Sequence, residues 1–168
     1  FTITSFLKPF SNNLDFINGD YSNADFTNQD LSNKVMIDSN FENAKFTNAK
    51  LSNSVFIGSI LTGADLTNTN LSGVSLSSTE LTGVKLTGAD LTDANLSGID
   101  LLGMDLTGVN LSGTDLSDTN LSGIDLTNVN FDRTDLSGKN LSHSKFDFVS
   151  LKDTEMSNVD LSFADMRE

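Results

Sequence analysis

The chain has 168 residues and carries 10 basic against 23 acidic side chains, a formal charge of -13. That excess of acid argues against direct binding to nucleic acid or to an anionic membrane surface, where Lys and Arg clusters supply most of the affinity. Without Cys or Trp and with a single His, the chain has no means to build a disulfide scaffold, a thiolate metal site, a Cys nucleophile or a two-His metal motif, and no cofactor is expected.

Residues 1–13 come first and stand apart. Phe1, Ile3, Phe6, Leu7, Pro9 and Phe10 make an apolar lead-in, expected to cap whatever follows, since an open β end is a sticky edge. Phe1 is not a natural start and no leader pattern opens the chain, so a processed or partial form in the cytoplasm is the expectation. No apolar run approaches about 18 residues, so no membrane-spanning helix is expected.

Residues 14–168 are one uninterrupted repeat of five. Every fifth residue from Phe16 to Met166 is large and apolar, and these 31 centres hold 20 Leu, 7 Phe, 3 Met and Tyr21. Two before each centre sits a small or β-branched residue such as Ala64, Thr69 or Val74; one before is usually Asp or Asn. Ser or Thr mostly follows the centre, and then Asn or Gly. An α-helix would carry a period of five around its whole surface, and a single strand would alternate the centres between two faces. A coil that turns a corner every five residues keeps each centre, and the small residue two before it, pointing inward. Four such sides make a 20-residue rung, with residues 20 apart stacked about 4.8 Å from one another.

The repeat resembles that of the pentapeptide-repeat proteins, whose consensus is A-[DN]-L-x-x, over about nine-tenths of the chain. The resemblance implies an all-β fold: a right-handed quadrilateral parallel β-helix, here of about eight coils in a rod on the order of 35–40 Å long. It also implies a non-catalytic protein that binds other proteins. Some members resemble duplex DNA in width and charge and bind type II topoisomerases such as DNA gyrase in its place.

Stacking columns by steps of 20 singles out three surfaces. Ile17, Val35, Ile37, Val55 and Ile57 lie outward on one side, with Ile60 on the next, where later rungs revert to Ser75, Ser77, Asn95 and Ser97. A contiguous apolar patch of this kind is covered by the lead-in or by a removed domain, or else is a partner or dimer surface. Phe148 and Phe163 point outward near the C-terminal end beside His143, and can seat a cap or an end-to-end dimer. The repeat continues to the last residue without a cap, so the final rung is expected to meet a partner or further chain. Between residues 86 and 138 nine aspartates face Arg133 alone, but stacking spreads them over all four sides and gathers only Asp115, Asp118 and Asp135.

Other chemistry fares worse. The in-register Thr27, Thr47, Thr67, Thr87, Thr107 and Thr127 suggest an ice-ordering rank, but their companion column is charged throughout: Asp25, Lys45, Asp65, Lys85, Asp105 and Asp125. The Asp/Lys alternation is better read as relief of like-charge stacking. His143 lies between Ser142 and Ser144 with Asp147 four residues on, but a flat rung offers no pocket for a hydrolase triad. Lys34, Lys139 and Gln29 fall on the inward phase; their stems are expected to follow the core while their heads leave at corners.

Overall fold

The computed structural model describes residues 15–166; the lead-in over 1–13 lies outside them. Each five-residue unit begins as a tight turn. In most units the carbonyl of the centre accepts the N–H three residues on, as from Ala24 to Tyr21 at 3.1 Å. Every residue two after a centre, from Asn18 to Phe163, has a positive φ. A positive φ at the third residue is the type II turn signature, and it explains the preference for Asn and Gly there.

The residue before the centre has two duties. Its backbone pairs in parallel with the residue 20 away, as Asp25 with Lys45 and Val35 with Val55. When it is Asp or Asn, its Oδ1 also accepts the N–H two residues on, as in Asp20 with Ser22 and Asn70 with Ser72, both at 3.0 Å. This local bond ties down a main-chain donor that the turn would otherwise leave to water. Asp or Asn at this place is therefore a backbone requirement first and a charge second.

The centres and the residues two before them fill the interior. Leu and Phe centres from Phe26 to Leu141 are buried. In the first rungs Phe26 stacks on Phe46 with centroids 4.9 Å apart, Tyr21 on Phe41 at 5.2 Å, and Phe56 meets Phe41 edge-on at 5.6 Å. Each such pair adds about 0.5–1.5 kcal/mol beyond the area it buries. At the other end Leu151, Met156 and Leu161 are half-buried and Met166 is exposed.

Where the inward small residue is Ser or Thr, its hydroxyl in most cases clips two rungs together, although Ser54 turns to its own Leu51 carbonyl at 2.6 Å. Ser39 donates to the Phe16 carbonyl at 2.9 Å, Ser59 to that of Met36, and Thr79 to that of Phe56 at 2.9 Å. Thr69, Thr114, Thr134 and Ser144 do the same, each to the carbonyl 23 residues earlier. Lys139 takes this role with its ammonium, donating to the Leu116 carbonyl at 2.6 Å. Its head is thus turned onto the backbone between rungs.

Four columns of centres define four sides. Side 1 carries Phe16, Met36 and Phe56; side 2 Tyr21, Phe41 and Leu61; side 3 Phe26, Phe46 and Leu66; side 4 Leu31, Leu51 and Leu71. Side 4 is bridged without a break from Asp30 to Ser150. Side 2, opposite to it, is bridged from Asp20 to Glu80 and again from Asn140 to Asp160, with no bridge between. Side 3 lacks bridges from Lys85 to Asp125, and side 1 between Asp115 and Asp135.

On sides 2 and 3 the breaks begin where the inward column changes, while the break on side 1 falls between Thr114 and Thr134 with no such change. Ala24, Ala44 and Ala64 are followed at the same place by Val84, Met104 and Ile124, while Ser39, Ser59 and Thr79 are followed by Ile99. A longer side chain there is expected to crowd the neighbouring rung, because a close-packed interior has no room for added methylenes; Ile124 crowds only one of its neighbours, since Asp125 still pairs with Lys145. Ile99 also has no hydroxyl to clip the rung below, and Thr119 Oγ1 turns to the carbonyl of its own turn, Leu116, at 2.6 Å.

Candidate interaction surfaces

Ile17, Ile37 and Ile57 stand in one column of side 1, and the bridged pair Val35 and Val55 lies beside them. Ile17 is 51% exposed, Ile57 41% and Ile60 39%, whereas Val35, Ile37 and Val55 are half-buried. Six β-branched aliphatic side chains thus share one continuous outer surface, and Ser75, Ser77 and Asn95 replace them farther along. Val35 and Val55 stand at the place before the centre where Asp or Asn elsewhere bonds the N–H two residues on, and Ile17, Ile37 and Ile57 stand directly after their centres.

Phe148 and Phe163 are the most exposed large apolar residues among those described, at 70% and 83%. Both occupy left-handed corners, with φ of 57° and 59°, where an aromatic side chain is uncommon. Phe163 stacks on His143 with centroids 5.0 Å apart and planes 9° from parallel. Between the two corners, Lys145 Nζ lies 3.1 Å from Asp147 Oδ2 and 3.5 Å from Asp125 Oδ2. The hydrogen bond to Asp147 holds the Lys145 ammonium above its ordinary pKa, with the charges of Asp125 and Asp147 adding to it. Asp147 Oδ1 is buried without a hydrogen-bond partner. Ser144, the hydroxyl next to His143, is buried on the Leu121 carbonyl at 2.7 Å.

Asp115 and Asp135 line one opening of about 400 Å³ with Arg133 and Lys139. Asp118 sits on the following left-handed corner at φ 59° and is not part of that opening. The Ser117 hydroxyl and N–H lower the Asp115 pKa, and the N–H and hydroxyl of Ser137 lower that of Asp135, with Lys139 contributing to both. Lys139, on the inward phase of the sequence, therefore supplies positive charge inside the acidic group.

Elsewhere the carboxylates serve the backbone. Asp20, Asp25, Asp30, Asp105 and Asp125 all have pKa values lowered chiefly by the N–H and hydroxyl two residues on. Sequence reasoning passed over Leu102, which is 51% exposed in a column otherwise of Ser, Thr and Glu42. The signal was its place directly after the centre Leu101. Among the described residues, no group of three or more His, Asp or Glu is placed to hold a metal ion. No helix among them is long and apolar enough to cross a membrane.

The family model for pentapeptide repeats matches the chain in 8 copies, from residues 22–58 through to residues 140–168. The chain belongs to the pentapeptide-repeat family. Its fold is that of HetL from the cyanobacterium Nostoc sp. strain PCC 7120, a pentapeptide repeat protein involved in heterocyst differentiation regulation, at 24% identity and TM-score 0.50, over 90% of this chain and 84% of that one. The plasmid-mediated fluoroquinolone resistance protein QnrB1 aligns at 20% identity and TM-score 0.47, over 88% of this chain and 89% of its own. A pentapeptide repeat protein of the Arabidopsis thaliana thylakoid lumen aligns at 28% identity and TM-score 0.31, over 62% of this chain and 69% of its own. Comparison with curated proteins gives no match.

Proposed function

We propose that this pentapeptide-repeat protein is a non-catalytic docking module that binds a protein partner through the Ile/Val surface of side 1, with the Phe148 and Phe163 end as a second contact. The observation that carries this is the continuous column of Ile17, Ile37 and Ile57 beside Val35 and Val55, partly open to water on a side whose next rungs carry Ser75, Ser77 and Asn95. Patches of this kind mark contact surfaces in soluble proteins. The finer form that accompanies the proposal is a right-handed, four-sided coil of about eight turns. The constant offset of 20 residues between bridged positions supports the four sides, and the family resemblance supports the hand.

Light scattering at low and high salt tests the proposal with a second copy as the first partner. A dimer that becomes a monomer in Ile37→Ser/Ile57→Ser, with thermal stability kept, supports it. A sharp fall in stability of that variant instead means that the chain itself covers the patch. The alternative, an acidic stand-in for DNA at a type II topoisomerase, has the bulk charge in its favour. Against it, most of the aspartates serve turn N–H groups and are spread over all sides. Such binding weakens steeply with salt, whereas apolar docking does not.

A further inference from the structure

The opened stretch of side 2 is a different surface from the Ile/Val patch. Between Thr79–Val84 and Ile99–Asp105 the rungs part to leave a slot of about 570 Å³, and a second opening of about 430 Å³ continues from Met104 to Asp125. Among the described residues, the N–H groups of Leu81, Gly83, Asp100, Leu101, Asp105 and Leu106 have no backbone partner. In the closed rungs their counterparts are paired, as Leu61 N–H with Glu80 O at 2.8 Å and Lys85 N–H with Ala64 O at 3.0 Å. A row of free main-chain donors and acceptors is a template for another strand.

The slot's chemistry selects what can enter. Val84, Ile99 and Met104 form its apolar floor, and Leu102 stands exposed at its mouth. Glu80, Asp100 and Asp105 line the same slot, with Asp125 at the continuing opening, and no Lys or Arg lines either. Lys85 is bridged toward Asp65, across the closed part of the ladder.

We propose that this slot binds an extended basic segment of a partner protein, which adds to the free ladder as a strand. Alternate residues of a strand point to opposite faces, so a segment alternating apolar and basic residues sets the former against Met104 and Leu102 and the latter against the acidic rim. The main chain supplies the affinity and the charges supply the choice of partner.

Fluorescence anisotropy with a labelled eight-residue peptide alternating Lys and Val tests this on the full chain. The controls are the same peptide N-methylated on alternate residues, which keeps its charge but loses donors, and a Glu/Val peptide. A closure variant, Ile99→Thr/Met104→Ala, restores the hydroxyl and the small residue of the first rungs. Hydrogen exchange at Asp100 and Asp105 establishes that it has closed. The Lys/Val peptide should bind saturably, and N-methylation or closure should each weaken it by at least about tenfold. The Glu/Val peptide should not bind. Absence of saturable binding, or equal binding by the N-methylated peptide, overturns the proposal even if the variant fails to fold. A folded closure variant that still binds as well as the parent also overturns it, leaving only charge attraction to an acidic surface.

Discussion

Sides 2 and 4 face each other across the same core and share the same five-residue unit, but one opens after Glu80 while the other stays bridged from Asp30 to Ser150. The centres do not account for this, because Leu81, Leu101 and Leu121 on side 2 are as apolar as Leu91 and Leu111 on side 4. The difference lies two residues earlier. Side 4 has Ala49, Thr69, Ala89, Val109 and Val129 at its inward small position, and all of these fit. At the corresponding places of sides 2 and 3 stand Ile99, Met104 and Ile124, bulkier than the Ser, Thr or Ala earlier in the same columns, and bridges lapse beside them. On these two sides the centre keeps the coil while the contact between coils changes along with the residue two before it.

The largest effect expected from breaking this comparison is a charge in either part of the core. Leu106→Asp and Leu111→Asp each place an unpaired carboxylate where the side chain is at most 1% exposed, at a cost of about 3–5 kcal/mol. Circular dichroism melts should show both variants largely unfolded, with Leu106→Asp the milder because water reaches side 3. A soluble, fully folded Leu106→Asp would remove the inward assignment of the centres.

Exchanging the small residues comes next. Ala44 is fully buried in the closed rungs, so Ala44→Met should cost about 1–3 kcal/mol by overpacking and should speed amide exchange at Lys45 and Asp65. The converse Met104→Ala should slow exchange at Asp105. If both substitutions leave exchange unchanged, the wedge is not the cause of the opening.

The hydroxyl clips give a smaller contrast. Thr79→Val leaves the Phe56 carbonyl without its clip across rungs and should cost about 1–3 kcal/mol in a denaturant titration. Thr119 bonds only within its own turn, so Thr119→Val should cost less.

Acid gives the smallest effect per residue. Asp25 and Asp30 have folded pKa values below 3.8, lowered by the bonds from Thr27 and Ser32. Lowered values mean that the bonded carboxylates stabilise the fold fully above that pH, and that this contribution is lost as pH falls through the folded values. The melting temperature should therefore be flat near neutrality and drop below about pH 4. Asp25→Asn, which keeps an acceptor that does not titrate, should soften that drop slightly. Asn40 and Asn70 already cap Glu42 and Ser72 in this way.

Much of this was legible in the residues. Adding 20 paired Val35 with Val55 and Asp25 with Lys45, and the ladder makes those same pairs. The outward phase of Phe148 and Phe163 was legible for the same reason. The opening was not, because it depends on the fit of a few methylenes against a neighbouring rung. Its trace was present all the same, in Met104 and Ile99 interrupting columns of Ala and of Ser and Thr. The neighbourhood of Asp115 was also hidden, since Lys139 appears in the sequence as a core anomaly and its ammonium bonds the Leu116 carbonyl between two carboxylates.

The unbroken series of left-handed corners, from Asn18 to Phe163, behaves like a reading frame. Losing one residue anywhere would move every later Leu to the outward place before the centre and bring the Ser or Thr after it, and the Asp or Asn before it, into the core. Losing five would keep the core but rotate all downstream surfaces by one side, carrying the Phe148 end to a new bearing relative to Ile37. Only whole twenties lengthen or shorten the protein and leave each surface facing as it did, so change in length is quantised and change in direction comes in quarter turns.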